Sequence, residues 1–71
     1  MEKYSNRGGN SPITHFQIED ERIIVWFQGG KSYSYSYRKA RSTHVERMKV
    51  LAKSGSELSA YITQNVKYKY D

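Results

Sequence analysis

Apolar residues fall into short groups along this chain, and their spacing changes from alternating to helical partway through. From Ile23 to Phe27 every residue is β-branched or aromatic, and Gly29-Gly30 follows one residue later. Beyond the glycines, Ser32 to Tyr37 alternates Ser and Tyr without a break. Such residues fit a pleated surface, and paired glycines supply the positive φ angles of a tight turn. Segments 22–28 and 31–37 are therefore predicted as a hairpin. Ile13, Phe16 and Ile18 predict a strand over 13–19, with Glu19-Asp20-Glu21-Arg22 as the turn that follows. Ile13 and Phe16 have opposite parity, so this strand needs a bulge or bend to bury both.

The hairpin can close in two ways. A two-residue turn at Gly29-Gly30 pairs Trp26 with Tyr33 and Ile24 with Tyr35. A three-residue loop with Gly30 left-handed shifts the pairing by one, setting Val25 beside Tyr33 and Ile23 beside Tyr35. The second is preferred, because Ile23, Val25 and Phe27 form the cleaner apolar stripe and need large neighbours. On that register Tyr33 and Tyr35 belong to the core. Ile24 and Trp26 then need a second cover or stay partly exposed.

After Tyr37 the spacing becomes helical. Val45, Met48, Leu51 and Ala52 share one side of a helix predicted over 43–53. Thr43 and Glu46 stand at capping-box spacing, Ser42 is an alternative cap, and Gly55 suits the left-handed C-terminal position. Leu58, Tyr61 and Ile62 predict a second helix over 56–65, with Val66 at its exit. The expected fold is α+β, a three-stranded antiparallel β-meander packed by two C-terminal helices. Residues 1–11 read as a flexible polar leader in which Tyr4 alone could dock, and 12–71 as a single domain.

Composition narrows the function classes. A chain of 71 residues holds one core and buries about 60% of its unfolded surface. The absence of cysteine excludes disulfides and thiolate metal sites. No apolar run approaches the roughly 18 residues of a membrane span, and the start lacks a signal-peptide core. A cytoplasmic protein without a membrane partner is expected. The net charge of +5 is uneven: residues 31–53 carry Lys31, Arg38, Lys39, Arg41, Arg47, Lys49 and Lys53 against Glu46 alone. That cluster suits an anionic partner, above all nucleic acid, and also serves as a solvated helix face.

Two function classes follow. In the first, Lys31, Arg38, Lys39 and Arg41 contact phosphates of RNA or another single strand, and Tyr37 or Trp26 stacks on bases. In the second, an exposed sheet edge or the Ile24/Trp26 face binds a protein partner or a second copy. Catalysis is not expected. His15 and His44 lie on separate elements, no Gly-x-Ser-x-Gly elbow occurs, and Glu19-Asp20-Glu21 reads as a solvated turn. Gly8-Gly9 and Gly29-Gly30 lack phosphate-loop flanks, so no metal, cofactor or small-molecule substrate is expected.

The central strand, the turn at Gly30 and Tyr33-x-Tyr35 resemble the Tyr-x-Tyr core of the KTSC family. That family is a short module named for its occurrence at the C-terminus of some lysyl-tRNA synthetases. Leu51 to Ile62, with Gly55 ahead of Leu58-x-x-Tyr61-Ile62, is similar to its second half, and Ser11, Ile13 and Phe16 to its opening. The likeness covers about residues 11–70, although the family often has Val-Pro where this chain has Lys39-Ala40. It implies a free-standing, non-enzymatic module of a family without an established activity. Gly30, Tyr33, Tyr35, Gly55, Leu58, Tyr61 and Ile62 would be structural, and the synthetase context implies an RNA partner.

Overall fold

Val25 lies opposite Tyr33 and Ile23 opposite Tyr35 in the computed structural model, which describes residues 1–71. This is the register of the three-residue loop. Strands β3 (Arg22–Phe27) and β4 (Ser32–Ser36) are joined through Gln28-Gly29-Gly30, closed by Phe27 N–H to the Lys31 carbonyl at 2.7 Å. Gly29 and Gly30 have φ of 91° and 89°, where a Cβ would be strained. Strand β2 (Ile13–Glu19) pairs antiparallel with β3, and its register shifts between Ile13 and His15. The bulge satisfies the parity conflict: Ile13 and Phe16 are both buried.

The three-stranded expectation needs one correction. Strand β1 (Glu2–Lys3) pairs antiparallel with β2, Glu2 opposite Phe16, giving a four-stranded sheet ordered β1-β2-β3-β4. In the segment read as a flexible leader, the docking open to Tyr4 occurs, and other residues are held as well. Tyr4 is 3% exposed, and Arg7 donates its N–H to the Gly55 carbonyl at 2.7 Å and its Nε to the Ser54 carbonyl at 2.7 Å. The physical cause is an open edge on β2 and unpaired carbonyls at a helix end, both of which the segment satisfies.

The helical layer begins one turn earlier than expected. Helix α1 (Tyr37–Ala40) is capped by the Ser36 hydroxyl, which accepts the Lys39 N–H at 3.3 Å. Helix α2 (Ser42–Ser54) follows, buries Val45, Met48, Leu51 and Ala52, and ends at Gly55 with φ 80°. Gly55 N–H bonds the carbonyls of Leu51 and Ala52, the expected left-handed C-cap. A Cβ added there would stand 2.6 Å from Ser5 Cβ, so the N-terminal segment also requires glycine. The capping box at Thr43 does not form. Arg41 is the N-cap without a side-chain bond, and Glu46 is held elsewhere by Tyr37 and Lys49.

Helix α3 (Leu58–Tyr61) runs into a π-helical turn at Ile62–Val66. Leu58, Ile62 and Val66 are buried from this unit, and Tyr61 is half-buried. With Ile23, Val25 and Tyr35 from the sheet and Val45 and Met48 from α2, they form one core between sheet and helices. Each fully buried aliphatic side chain contributes about 1.5–3 kcal/mol, so a domain this small depends on nearly all of them. Phe27, at the end of β3, is half-buried where the apolar stripe implied full burial.

Candidate nucleic-acid interface

Alternation along the paired strands sends one set of side chains into the core and the other to the open sheet face. Trp26 belongs to the open set, opposite His15 on one side and Ser32 on the other, with Ile24 between Gln17 and Ser34. Both are half-buried. The serines of the Ser-Tyr run are too small to cover them, so Trp26 keeps part of its ring in solvent. Tyr35 is 2% exposed, as the bulged register requires, whereas Tyr33, also expected in the core, is half-buried at its margin.

The six residues singled out for nucleic acid divide into two groups. Trp26 and Lys31 sit at the turn end of the hairpin, and Tyr37, Arg38, Lys39 and Arg41 at the far end of β4. At about 3.3 Å per residue, β4 separates Lys31 from Tyr37 by roughly 20 Å. At the far end, α1 carries Arg38 and Lys39 exposed around the buried Ala40, and Arg41 follows, also exposed. Arg41 has φ 76° and ψ 146°, a combination that residues with a side chain avoid. Its guanidinium is thus presented from a strained backbone.

Tyr37 is more constrained than a free stacking residue. Its hydroxyl donates to Glu46 Oε2 at 2.5 Å, and Lys49 Nζ lies 5.7 Å from its ring centroid. The bond to Glu46 raises the Tyr37 pKa and, together with Lys49, lowers that of Glu46. The Tyr37 N–H bonds the Glu21 carbonyl, which brings the acidic β2–β3 turn alongside. Arg38 shares a cleft of about 530 Å³ with Glu19, Asp20 and Glu21. Arg22 pairs with Glu19 at 2.6 Å and holds that carboxylate below its ordinary pKa, helped by Gln17.

Across the chain there are two ion pairs, Arg22–Glu19 and Lys49–Glu46. The other ten of the twelve Lys and Arg side chains have no carboxylate within ion-pair distance. Seven carboxylates offset part of this charge at longer range, Glu19, Asp20 and Glu21 beside Arg38 among them, and the chain keeps a net +5. His44 Nδ1 is 2.7 Å from the Tyr61 hydroxyl, and this contact joins α2 to α3.

One surface was not legible as a site in the sequence. Phe27, Tyr33, Tyr35, Ile62, Tyr68 and Tyr70 line a groove of about 260 Å³ between the β4 edge and the end of the π turn. Lys67 stands at the same groove. Tyr70 packs on Tyr33 with ring centroids 4.8 Å apart, and Asp71 N–H bonds the Ser34 carbonyl, fastening the last residues along β4. The Lys-Tyr-Lys-Tyr alternation over 67–70 was its sequence signal, a strand-like pattern placed after a helix. No helix is long and apolar enough to cross a membrane. No protein-family model, curated protein or solved structure matches the chain.

Proposed function

We propose that this domain binds single-stranded nucleic acid, RNA foremost, with Arg38, Lys39 and Arg41 as phosphate contacts. The observation that carries the reading is the placement of charge: ten cations outside any ion pair, three of them exposed around one short helix, in a chain of net +5. Phosphates supply the missing counter-charge and release condensed ions into solvent, an affinity source that needs no base contacts. The strained backbone at Arg41 supports the same reading, because such conformations persist where they position a functional side chain. The resemblance of Tyr33-x-Tyr35 and Leu58-x-x-Tyr61-Ile62 to the KTSC family, with its synthetase context, favours RNA among the anionic polymers. Titration of an RNA oligomer at increasing salt tests it, since affinity must fall steeply.

A second reading has one observation in its favour. Ile24 and Trp26 stand among small serines on the open sheet face, an apolar patch able to seat a protein partner. A blue shift of Trp26 emission with rising protein concentration would establish self-association through that face.

A further inference from the structure

The seven tyrosines divide cleanly by what their hydroxyls do. Tyr4 bonds the Leu58 N–H, Tyr37 bonds Glu46 and Tyr61 bonds His44, so these three hydroxyls are spent inside the protein. The hydroxyls of Tyr33, Tyr35, Tyr68 and Tyr70 have no protein partner, and all four residues line the groove beside β4. No buried polar side-chain atom in the chain is left unpartnered, so none of these four hydroxyls is fully sealed from solvent, although Tyr35 is only 2% exposed.

We propose that this groove is a nucleobase site, in which one unstacked base packs against Tyr68 and Tyr70 and bonds to the free tyrosine hydroxyls. The inference rests on the single-strand reading above and adds a base-contacting surface to its phosphate-contacting one. Three observations carry it. A cavity of about 260 Å³ lies just below the usual range for whole ligands, which suits one planar ring system better than an extended molecule. Its walls are aromatic, and every base has a π-face to offer them. Its polar groups are hydroxyls, which donate or accept as a base edge requires.

Charge selects the occupant. Lys67 lines the groove, Lys69 lies between its two tail tyrosines, and neither has an acidic partner. Asp71, the nearby carboxylate, accepts from the Ser36 hydroxyl at 2.7 Å. Lys67 Nζ lies 5.4 Å from the Tyr68 ring centroid, so one face of that ring already meets a cation. A neutral proline-rich segment would use the aromatic walls and leave both ammonium groups without an anion, whereas a nucleotide brings its own phosphate to them. Ile62, the first residue of the π turn, lines the groove, and such turns recur at functional sites.

The test follows the tyrosine ring resonances of the full chain during titration with an oligouridylate and with an abasic ribose-phosphate oligomer of equal length. The Tyr68 and Tyr70 resonances are expected to shift with the first and not the second. The abasic oligomer should bind about 5- to 150-fold more weakly, the range that stacking of one base supports. Tyr68 is 79% and Tyr70 39% exposed, so the Y68A/Y70A double variant should fold and lose the same factor without changing the salt dependence. Equal binding of both oligomers, with unshifted tyrosines, overturns the groove and leaves phosphate binding standing. No binding of either below millimolar at low salt overturns both. A neutral proline-rich peptide that shifts these resonances where oligouridylate does not reassigns the groove to peptide.

Discussion

The hydroxyl of Tyr4 accepts the backbone N–H of Leu58 at 3.3 Å, across 54 residues of sequence. Helix α3 has no cap of its own, because Glu57 precedes it at φ 66° and makes no side-chain bond to the first turn. The N-terminal segment therefore supplies the donor's partner as well as a buried ring. Tyr4→Phe keeps the ring and orphans the Leu58 N–H, at an expected cost of about 1–3 kcal/mol. Tyr4→Ala also opens a cavity and should cost about 3–5 kcal/mol. Urea denaturation checks both. A Phe variant as stable as the parent would contradict the capping role.

Arg41 offers a change that separates stability from binding. Its φ of 76° with ψ 146° is a region that glycine alone enters freely. Arg41→Gly should relieve about 1 kcal/mol or more of strain, raising Tm by roughly 4–8 °C in a domain this small. If Arg41 contacts a phosphate as proposed, the same variant should also bind RNA more weakly. A lowered Tm would refute the strain.

Alkaline stability should report on Tyr35. Burial, with smaller contributions from Tyr33 and Tyr70, pushes its phenol up to about 12 from the ordinary 10. Between pH 10 and 12 the folded chain keeps a proton that the unfolded chain releases. This contribution is complete below pH 10 and lost as pH rises through 12. Tyr35→Phe should flatten the fall in unfolding free energy across that window. Identical pH profiles for parent and variant would show that the hydroxyl is freely hydrated.

The strand layer was legible because parity is a strict constraint. Ile13 and Phe16 demanded a bulge, and Ile23, Val25 and Phe27 demanded large partners, which selected the Tyr33 and Tyr35 register. Helix α2 was legible from the spacing of Val45, Met48, Leu51 and Ala52, and its end from Gly55. Strand β1 was not, since Glu2-Lys3 is two charged residues whose pairing depends on the neighbouring β2 edge. The Thr43–Glu46 cap failed because Tyr37, distant in pattern terms, competes for the same carboxylate. For the site, charge clustering identified which cations are concentrated but not their placement. Lys31 and Arg38 prove to be at opposite ends of β4, and Tyr68 and Tyr70, beyond the last predicted helix, join Tyr33 and Tyr35 in one groove.

The central claim, that phosphates are held by Arg38, Lys39 and Arg41, is tested most directly by the salt dependence of RNA binding in parent and triple-alanine variant. These three side chains are exposed, so the R38A/K39A/R41A variant should keep its fold, confirmed by its far-ultraviolet dichroism. For single strands, the log of affinity falls against the log of salt by about 0.7 per neutralised phosphate. The expected result is a steep slope for the parent and one shallower by roughly two for the variant. A folded variant with an unchanged slope, or a parent that binds no RNA below millimolar at low salt, would contradict the account.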